Sequence, residues 1–133
     1  MSEADNIRAV MTIYEAFGRG DIPTILDQLS DDIDWWFFGP PEIPWGGRHQ
    51  GKEAVLGLFG AVGANVDVES FGPEDEPIAT GDSVVVAGFE RVKVRRTGKS
   101  WETHWLHNFS FRDSKIYRIR EYYDTAAIVE AFR

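Results

Sequence analysis

The stretch SWETHWLHNFSFR, residues 100–112, constrains the fold more than any other part of this chain. Its odd-numbered positions carry aromatic residues, one threonine and one histidine, whereas its even-numbered positions are mostly polar. Successive side chains of a β-strand point to opposite faces of a sheet. The period of two therefore predicts a long strand with a buried odd face, which places His107 in an aromatic interior and His104 on the wetter side.

Other stretches rich in valine, isoleucine and aromatic residues predict four further strands. They span about residues 33–38, 65–71, 83–96 and 115–123. The strings RTGKS (96–100) and RDSK (112–115) predict turns that join the last three strands.

Four segments predict helices, three before the long strands and one at the end of the chain. The first begins after Ser2, the second is capped by Asp21, and the third runs from Gly51 to Ala64. The closing helix covers Thr125 to Phe132 and has its N-cap at its first residue or at the residue before it.

This order of elements predicts an α+β fold in a single domain that covers residues 1–133. The long strands carry more apolar residues than a flat, two-layer sheet needs. We therefore expect a sheet that curls around the helices and leaves a pocket at its mouth.

Composition narrows the classes of partner and cofactor. The net charge of −8, from 14 basic and 22 acidic residues, disfavours nucleic acid because phosphate binding needs a basic face. The chain has no cysteine and only three scattered histidines, and it has no phosphate-binding glycine loop, so we expect neither a metal nor another cofactor. No secretory leader or membrane-spanning run is visible, and we expect a cytoplasmic protein without a membrane partner.

Two residue types in this pattern point to acid/base chemistry. A buried imidazole such as His107 has a pKa that its neighbours can move across neutrality, although a buried histidine can also be a core residue bonded to one partner. Asp124 follows an inward-facing strand, where burial would raise its pKa and suit a general acid or base. The alternative for Asp124 is the N-cap of the closing helix.

The strand pattern leaves the direction of several charged residues open. Arg91 shares its face with Val85 and Phe89, while Glu90 shares the other face with Val84 and Val92, so both faces start apolar and carry charge later. The last strand has the same ambiguity, and a β-bulge could place residues from both of its faces inside.

Four strings occur in order along the chain: YEAFGRGD (14–21), GRHQGKEAV (47–55), FRDSKI (111–116) and REYYDT (120–125). Together they resemble the SnoaL-like branch of the superfamily that also contains nuclear transport factor two, ketosteroid isomerase and limonene epoxide hydrolase. The resemblance implies a cone-shaped α+β barrel, in which a strongly curved, mainly antiparallel sheet wraps three N-terminal helices. It also implies an apolar pocket at the open end and a homodimer formed through the outer face of the sheet.

The resemblance to the epoxide hydrolase covers part of its catalytic set. Arg91 in ERVKV stands at the place of that enzyme's arginine, but Lys93 stands where its proton-donating aspartate should be. Asp124 in EYYD stands in the place of the acid that activates water. The tyrosine and the asparagine that share that water have no clear match, so the resemblance implies incomplete hydrolytic machinery.

The resemblance to ketosteroid isomerase is also partial. The position of its catalytic aspartate falls on Phe37, which cannot take a proton. Its oxyanion-hole tyrosine falls on Ile13, with Tyr14 one residue away, and its oxyanion-hole aspartic acid falls near His107, which could still donate a hydrogen bond.

The function we expect is that of a cofactor-independent enzyme with cyclase, isomerase or hydrolase chemistry on a small, mostly apolar carbonyl or epoxide compound. Asp124 is the expected general base or acid, His107 polarises an oxygen or relays a proton, and Arg91 holds Asp124 ionised or binds an oxyanion. The alternatives are a non-catalytic binding protein that uses the same pocket, and a structural dimer with a filled barrel. The residues expected to contact the ligand are Tyr14, Trp36, Phe38, Trp45, Trp105 and Tyr122.

Overall fold

A computed structural model describes residues 2–133, and its largest element is one curved, open sheet. The helices are α1 (Glu3–Gly18), α2 (Ile22–Asp27), α3 (Lys52–Asn65) and α4 (Thr125–Phe132). The strands are β1 (Leu29–Phe37), β2 (Gly47–Gln50), β3 (Val66–Pro73), β4 (Ile78–Thr80), β5 (Ser83–Val94), β6 (Ser100–Arg112) and β7 (Lys115–Tyr123). The α+β class and the three helices ahead of the long strands are confirmed.

The strand order in the sheet is β2-β1-β7-β6-β5-β3, and β4 pairs with β5 outside this path. All the pairings are antiparallel except that of β1 with β7, which is parallel. The long strands β5, β6 and β7 therefore lie side by side. Residues from three separate parts of the chain can face one interior, because each strand turns one face toward the helices.

The predicted period of two in β6 is confirmed by its burial. The odd-numbered side chains from Trp101 to Phe111 are at most 4% exposed, and His107 is 3% exposed. The aromatic side chains of this face form the main core together with apolar residues of α1 and α4 such as Val10 and Ile128. The inner face of the sheet is thus the buried face, and we call the opposite face the outer face.

Local capping explains where the helices begin. Ser2 Oγ accepts a hydrogen bond from the Asp5 amide at 3.1 Å, and Asp5 Oδ2 accepts one from the Ser2 amide at 3.2 Å, which forms a capping box. Asp21 accepts from the Thr24 amide at the start of α2. Gly51 precedes α3 with a φ of +85°, a left-handed conformation that favours glycine.

The sequence prediction missed two short strands and misplaced some strand ends. β2 has no apolar alternation and β4 has three residues, so neither carries the pattern that predicts a strand. β1 begins at Leu29 rather than Ile33, and the prediction missed its first part because Ser30, Asp31 and Asp32 are polar. Pairing with neighbouring strands, rather than local composition, orders these segments.

One glycine is required where β5 meets β6. Gly88 pairs with Trp105, and a Cβ atom placed on Gly88 would lie 2.1 Å from the indole ring. The ring therefore lies directly over the backbone of β5. The same indole ring also stacks against the imidazole of His107, with ring centroids 4.0 Å apart and ring planes at 10° to each other. Gly88 thus allows an aromatic support beneath the histidine.

Within residues 2–133, no helix is long and apolar enough to cross a membrane.

Candidate active site

A cavity of about 90 Å³ lies between the inner face of the sheet and the helices α1, α2 and α3. Most of its walls are aromatic or aliphatic, and they include Phe17, Phe59 and Phe71 at one side. The ionisable side chains that line it are Tyr14, Glu90, His107, Glu121 and Tyr123.

His107 is the centre of the polar cluster. Its Nδ1 atom lies 2.8 Å from the hydroxyl of Tyr14 on α1, and its Nε2 atom lies 2.8 Å from the hydroxyl of Tyr123 on β7. The same Nε2 atom is 2.9 Å from Oε2 of Glu121. The register of β6 and β7 produces this pair, because His107 and Glu121 are directly opposite each other.

Glu121 is buried and both of its oxygens have partners. The Trp35 indole N–H donates to Oε1 at 2.5 Å, while Oε2 faces His107. The residue as a whole is 7% exposed. A buried carboxylate needs such partners because it has lost its water. The indole and the imidazole therefore hold the carboxylate in one orientation.

One arrangement of protons satisfies these contacts. Burial, with a smaller effect from the charge of Glu121, raises the pKa of Tyr14 well above its ordinary value, and Tyr123 is raised in the same way. Both hydroxyls therefore keep their protons. Tyr14 can then donate to Nδ1 of His107, whose Nε2–H donates to Glu121, and the O–H of Tyr123 is left available to another acceptor.

Glu90 is the second buried carboxyl group of the cavity. It lies on β5, is 6% exposed, and accepts a hydrogen bond from the Trp101 indole N–H at 2.7 Å. Burial raises the pKa of Glu90 to about 7, the indole hydrogen bond opposes this rise, and the negative charge of Glu121 adds to it. Glu90 can therefore take or give a proton near neutral pH.

Of the three predicted catalytic residues, the structure places His107 in the cavity. Asp124 is exposed, and its Oδ1 accepts a hydrogen bond from the Ala127 amide at 3.3 Å as the N-cap of α4. Arg91 lies on the outer face, where Nη1 is 2.7 Å from Glu102. The structure thus does not bring Asp124 and Arg91 together with His107, and their catalytic roles stay predictions.

The predicted ligand-contacting residues also divide between the two faces. Tyr14 and Trp45 line the cavity, and Trp105 lies behind His107 in the stacked arrangement described above. The other three lie on the outer face, where they stack on one another with ring centroids 4.9 Å and 5.0 Å apart. These are Trp36, Phe38 and Tyr122.

The prediction from sequence did not select Glu90 or Glu121. A signal for Glu90 was present, because its face of β5 also carries Val92 and Val94 whereas the opposite face carries Arg91 and Lys93. A lone glutamate on a valine-rich face is a candidate for a buried acid. Glu121 had no comparable signal, because both faces of β7 mix apolar and charged residues.

In the part of the chain from residue 2 to residue 133, no cluster of three or more histidine, aspartate or glutamate side chains could hold a metal ion.

Comparison with known proteins identifies the class to which this fold and cavity belong. The chain belongs to the SnoaL-like domain family, whose model matches residues 10–119. This confirms the family resemblance expected from the four sequence strings. No curated protein matches the chain.

Solved structures confirm the cone-shaped fold over nearly the whole chain. An NTF2-like protein from Burkholderia xenovorans LB400 is 33% identical, with 100% of this chain and 99% of that chain covered and a TM-score of 0.90. An NTF2-like protein of unknown function from Burkholderia pseudomallei K96243 is 28% identical, with coverage of 99% and 98% and a TM-score of 0.86. TerC, crystallised with polyporic acid, is 26% identical, with coverage of 96% and 98% and a TM-score of 0.82.

Proposed function

We propose that this protein is a cofactor-independent enzyme that transfers protons on a small, mostly apolar carbonyl or epoxide compound. The observation that carries the proposal is the contact between His107 and Glu121, 2.9 Å apart inside a cavity with mainly apolar walls. Buried acid and base groups of this kind cost stability and are concentrated in functional sites. Membership of the SnoaL-like family supports the same class of chemistry.

In the proposed reaction, ionised Glu121 accepts a proton from a carbon next to the carbonyl group. His107 and Trp35 hold the carboxylate in position, and His107 can pass a proton onward through its two nitrogen atoms. The O–H of Tyr123 donates to the substrate oxygen as negative charge develops there. Glu90, protonated in part near neutral pH, returns a proton at a second carbon or at the oxygen.

Hydrogen–deuterium exchange tests this proposal without knowledge of the natural substrate. Small cyclic ketones such as cyclohexanone are incubated with the protein in D2O, and loss of their α-proton signals is followed by NMR. We expect the wild-type protein to accelerate exchange, and Glu121→Gln to reduce the acceleration at least about 100-fold, the usual contribution of a general base.

Glu130→Gln on the exposed side of α4 is the matched control, because it removes the same charge from a residue outside the cavity lining. It should leave the exchange rate unchanged. Full exchange activity in a folded Glu121→Gln protein would contradict the assigned role of Glu121.

The alternative is a non-catalytic protein that binds a small molecule in the same cavity. Its support is the aromatic lining, which suits an apolar ligand, and the crystallisation of the similar protein TerC with polyporic acid. Under this alternative, Trp45→Ala weakens ligand binding, whereas Glu121→Gln has no effect on a reaction rate because the protein catalyses no reaction.

We also propose that the protein forms a homodimer through the outer face of the sheet. The support is an exposed apolar patch in which Leu106 is 45% and Tyr122 is 50% exposed. The buried Oδ1 atom of Asn108 on this face has no hydrogen-bond partner among the described residues. Light scattering of wild type and Leu106→Glu tests the homodimer proposal, since the variant should have a molar mass closer to that of a monomer.

A cytoplasmic location stays a prediction.

A further inference from the structure

The cavity is lined by negative charge without a balancing cation. Among residues 2–133, the side chains along its walls include Glu90 and Glu121 but no lysine or arginine. The arginines next to these glutamates in sequence lie on the outer face instead. Arg91 pairs there with Glu102, and Arg120 donates to Asp34 at 3.1 Å.

The alternation of the strands therefore sorts charge by sign. On β5 and on β7, a glutamate turns inward and the adjacent arginine turns outward. Among residues 2–133, His107 is the one basic side chain that lines the cavity, and its two nitrogens already contact Tyr14, Tyr123 and Glu121. A second anion in the cavity would find no cation free to pair with it.

The two glutamates differ in how fully their oxygens are bonded. Glu121 has a partner at each oxygen, Trp35 at Oε1 and His107 at Oε2. Glu90 accepts from Trp101 at Oε2, and no described residue donates to its Oε1 atom. Glu90 therefore has one oxygen without a protein donor, at which a neutral ligand can donate a hydrogen bond and a negatively charged ligand is repelled.

We propose that the cavity selects uncharged ligands against anionic analogues that carry the same ring, and that Glu90 sets this selectivity. This inference rests on the proposed function in one respect, that the cavity is a ligand site. The ligand class is a neutral apolar compound with a hydroxyl or carbonyl group. Charges in a water-poor interior are weakly screened, so an anion beside an unpaired carboxylate is disfavoured.

The same selection agrees with the charge balance of the proposed proton transfer. When Glu121 takes a proton from a neutral ligand, the C–H bond breaks, the carboxylate becomes neutral and the ligand becomes an anion. The net charge of the cavity does not change. An anionic substrate would instead bring a second negative charge into the cavity before and throughout the step, without a cation to offset it.

Phenol and benzoate test the selectivity, since each has one six-membered ring and they differ in charge at pH 8. Isothermal titration calorimetry gives both dissociation constants for the wild-type protein, which we expect to differ at least tenfold in favour of phenol. In Glu90→Gln we expect benzoate to bind at least tenfold more tightly than to wild type, so that the difference between the two dissociation constants narrows. Glu130→Gln, with the same loss of charge at the surface, should leave both constants unchanged.

Three results would overturn the proposal. One is benzoate binding to wild type as tightly as phenol, another is a phenol-to-benzoate ratio that Glu90→Gln does not alter, and the third is no phenol binding at millimolar concentration. Glu90→Met, which has no charge and similar length, replaces the glutamine variant if that protein does not fold. The affinity ratio needs no turnover, so a failed ketone-exchange assay would sink the enzymatic proposal while leaving this one standing.

Discussion

Glu90 and Arg91 are neighbours on β5, and the two faces of the sheet give them opposite environments. Glu90 is 6% exposed and has one indole as its partner. The side chain of Arg91 is 47% exposed and pairs with Glu102 on the adjacent strand at 2.7 Å. On β7 the same division separates Glu121, which lines the cavity, from Arg120, which pairs with Asp34 on the outer face.

The difference shows which charges serve stability and which oppose it. An exposed ion pair such as that of Arg91 and Glu102 contributes about 0–1 kcal/mol, and its loss is easily tolerated. A buried carboxylate loses its hydration, so it is retained at a cost that the surrounding hydrogen bonds only partly offset. The cost of burying Glu90 and Glu121 supports the proposed role of the two carboxyl groups in proton transfer.

The largest difference between the faces is expected for apolar truncation on β6. Phe109 is 2% exposed in the core, whereas Leu106 is 45% exposed on the outer face. We expect Phe109→Ala to lower the free energy of unfolding by about 3–5 kcal/mol. Leu106→Ala should lower it by less than about 1 kcal/mol when measured by urea unfolding at low protein concentration. Equal losses would show that the outer face is as closely packed as the inner one.

The next largest effect is the opposite pH dependence of carboxyl groups on the two faces. The pKa of Glu90 is raised from 4.5 to about 7 by burial, so the folded protein holds this proton more tightly than the unfolded chain. Its contribution to stability is complete below the unfolded value and is lost as the pH rises through about 7. As the pH rises from the unfolded pKa to above the folded pKa of Glu90, we expect this group to lower the free energy of unfolding by about 3 kcal/mol.

Asp34 on the outer face behaves in the reverse way. Hydrogen bonds from Arg48 and Arg120 lower its pKa from 3.8 to about 2, so its contribution to stability is present above the unfolded pKa and is lost as the pH falls toward 2.

Urea unfolding of wild type and Glu90→Gln from about pH 5 to about pH 8 isolates the contribution of Glu90, since the variant should lack the decline in stability with rising pH. Parallel curves for the two proteins would contradict the buried state of Glu90.

A smaller effect is expected at Gly88, where the Trp105 ring lies against the backbone of β5. Gly88→Ala places a methyl group against the Trp105 ring, at a distance of 2.1 Å before any movement. We expect a loss of about 1–3 kcal/mol in the free energy of unfolding, typical of overpacking. The stacked His107 should shift as well, and its ring resonances in an NMR spectrum would report this. Unchanged stability and spectra would mean that the strand can move away at little cost.

The smallest effects are expected for two residues predicted from sequence to be catalytic. Asp124→Asn keeps the N-cap of α4, because asparagine caps about as well as aspartate, and Arg91→Gln removes the exposed ion pairs with Glu69 and Glu102. Each variant should change the ketone exchange rate less than threefold, and it should change the free energy of unfolding by less than about 1 kcal/mol. A loss of activity comparable with that of Glu121→Gln would restore Asp124 or Arg91 to the catalytic role expected from the family resemblance.

Sequence alone determined the features that depend on near neighbours along the chain. The alternation in residues 100–112 was sufficient to predict β6, its buried face and the inward position of His107. Caps at Ser2 and Asp21 mark helix starts because a side-chain oxygen reaches an amide three residues away. The order of these elements was also enough to indicate the α+β class.

Tertiary structure decided the features that depend on distant parts of the chain. Tyr14, Glu90 and Glu121 come from α1, β5 and β7, and only the packing of α1 and the strand register bring them to one cavity with His107. Asp124 lies one residue beyond β7, where the chain leaves the sheet and α4 begins, and its side chain is exposed. Periodicity is local, whereas burial and the pKa of a carboxyl group are set by what folds over it. For this reason the sequence carried a signal for Glu90 but none for Glu121, and it could not show that the two share one cavity.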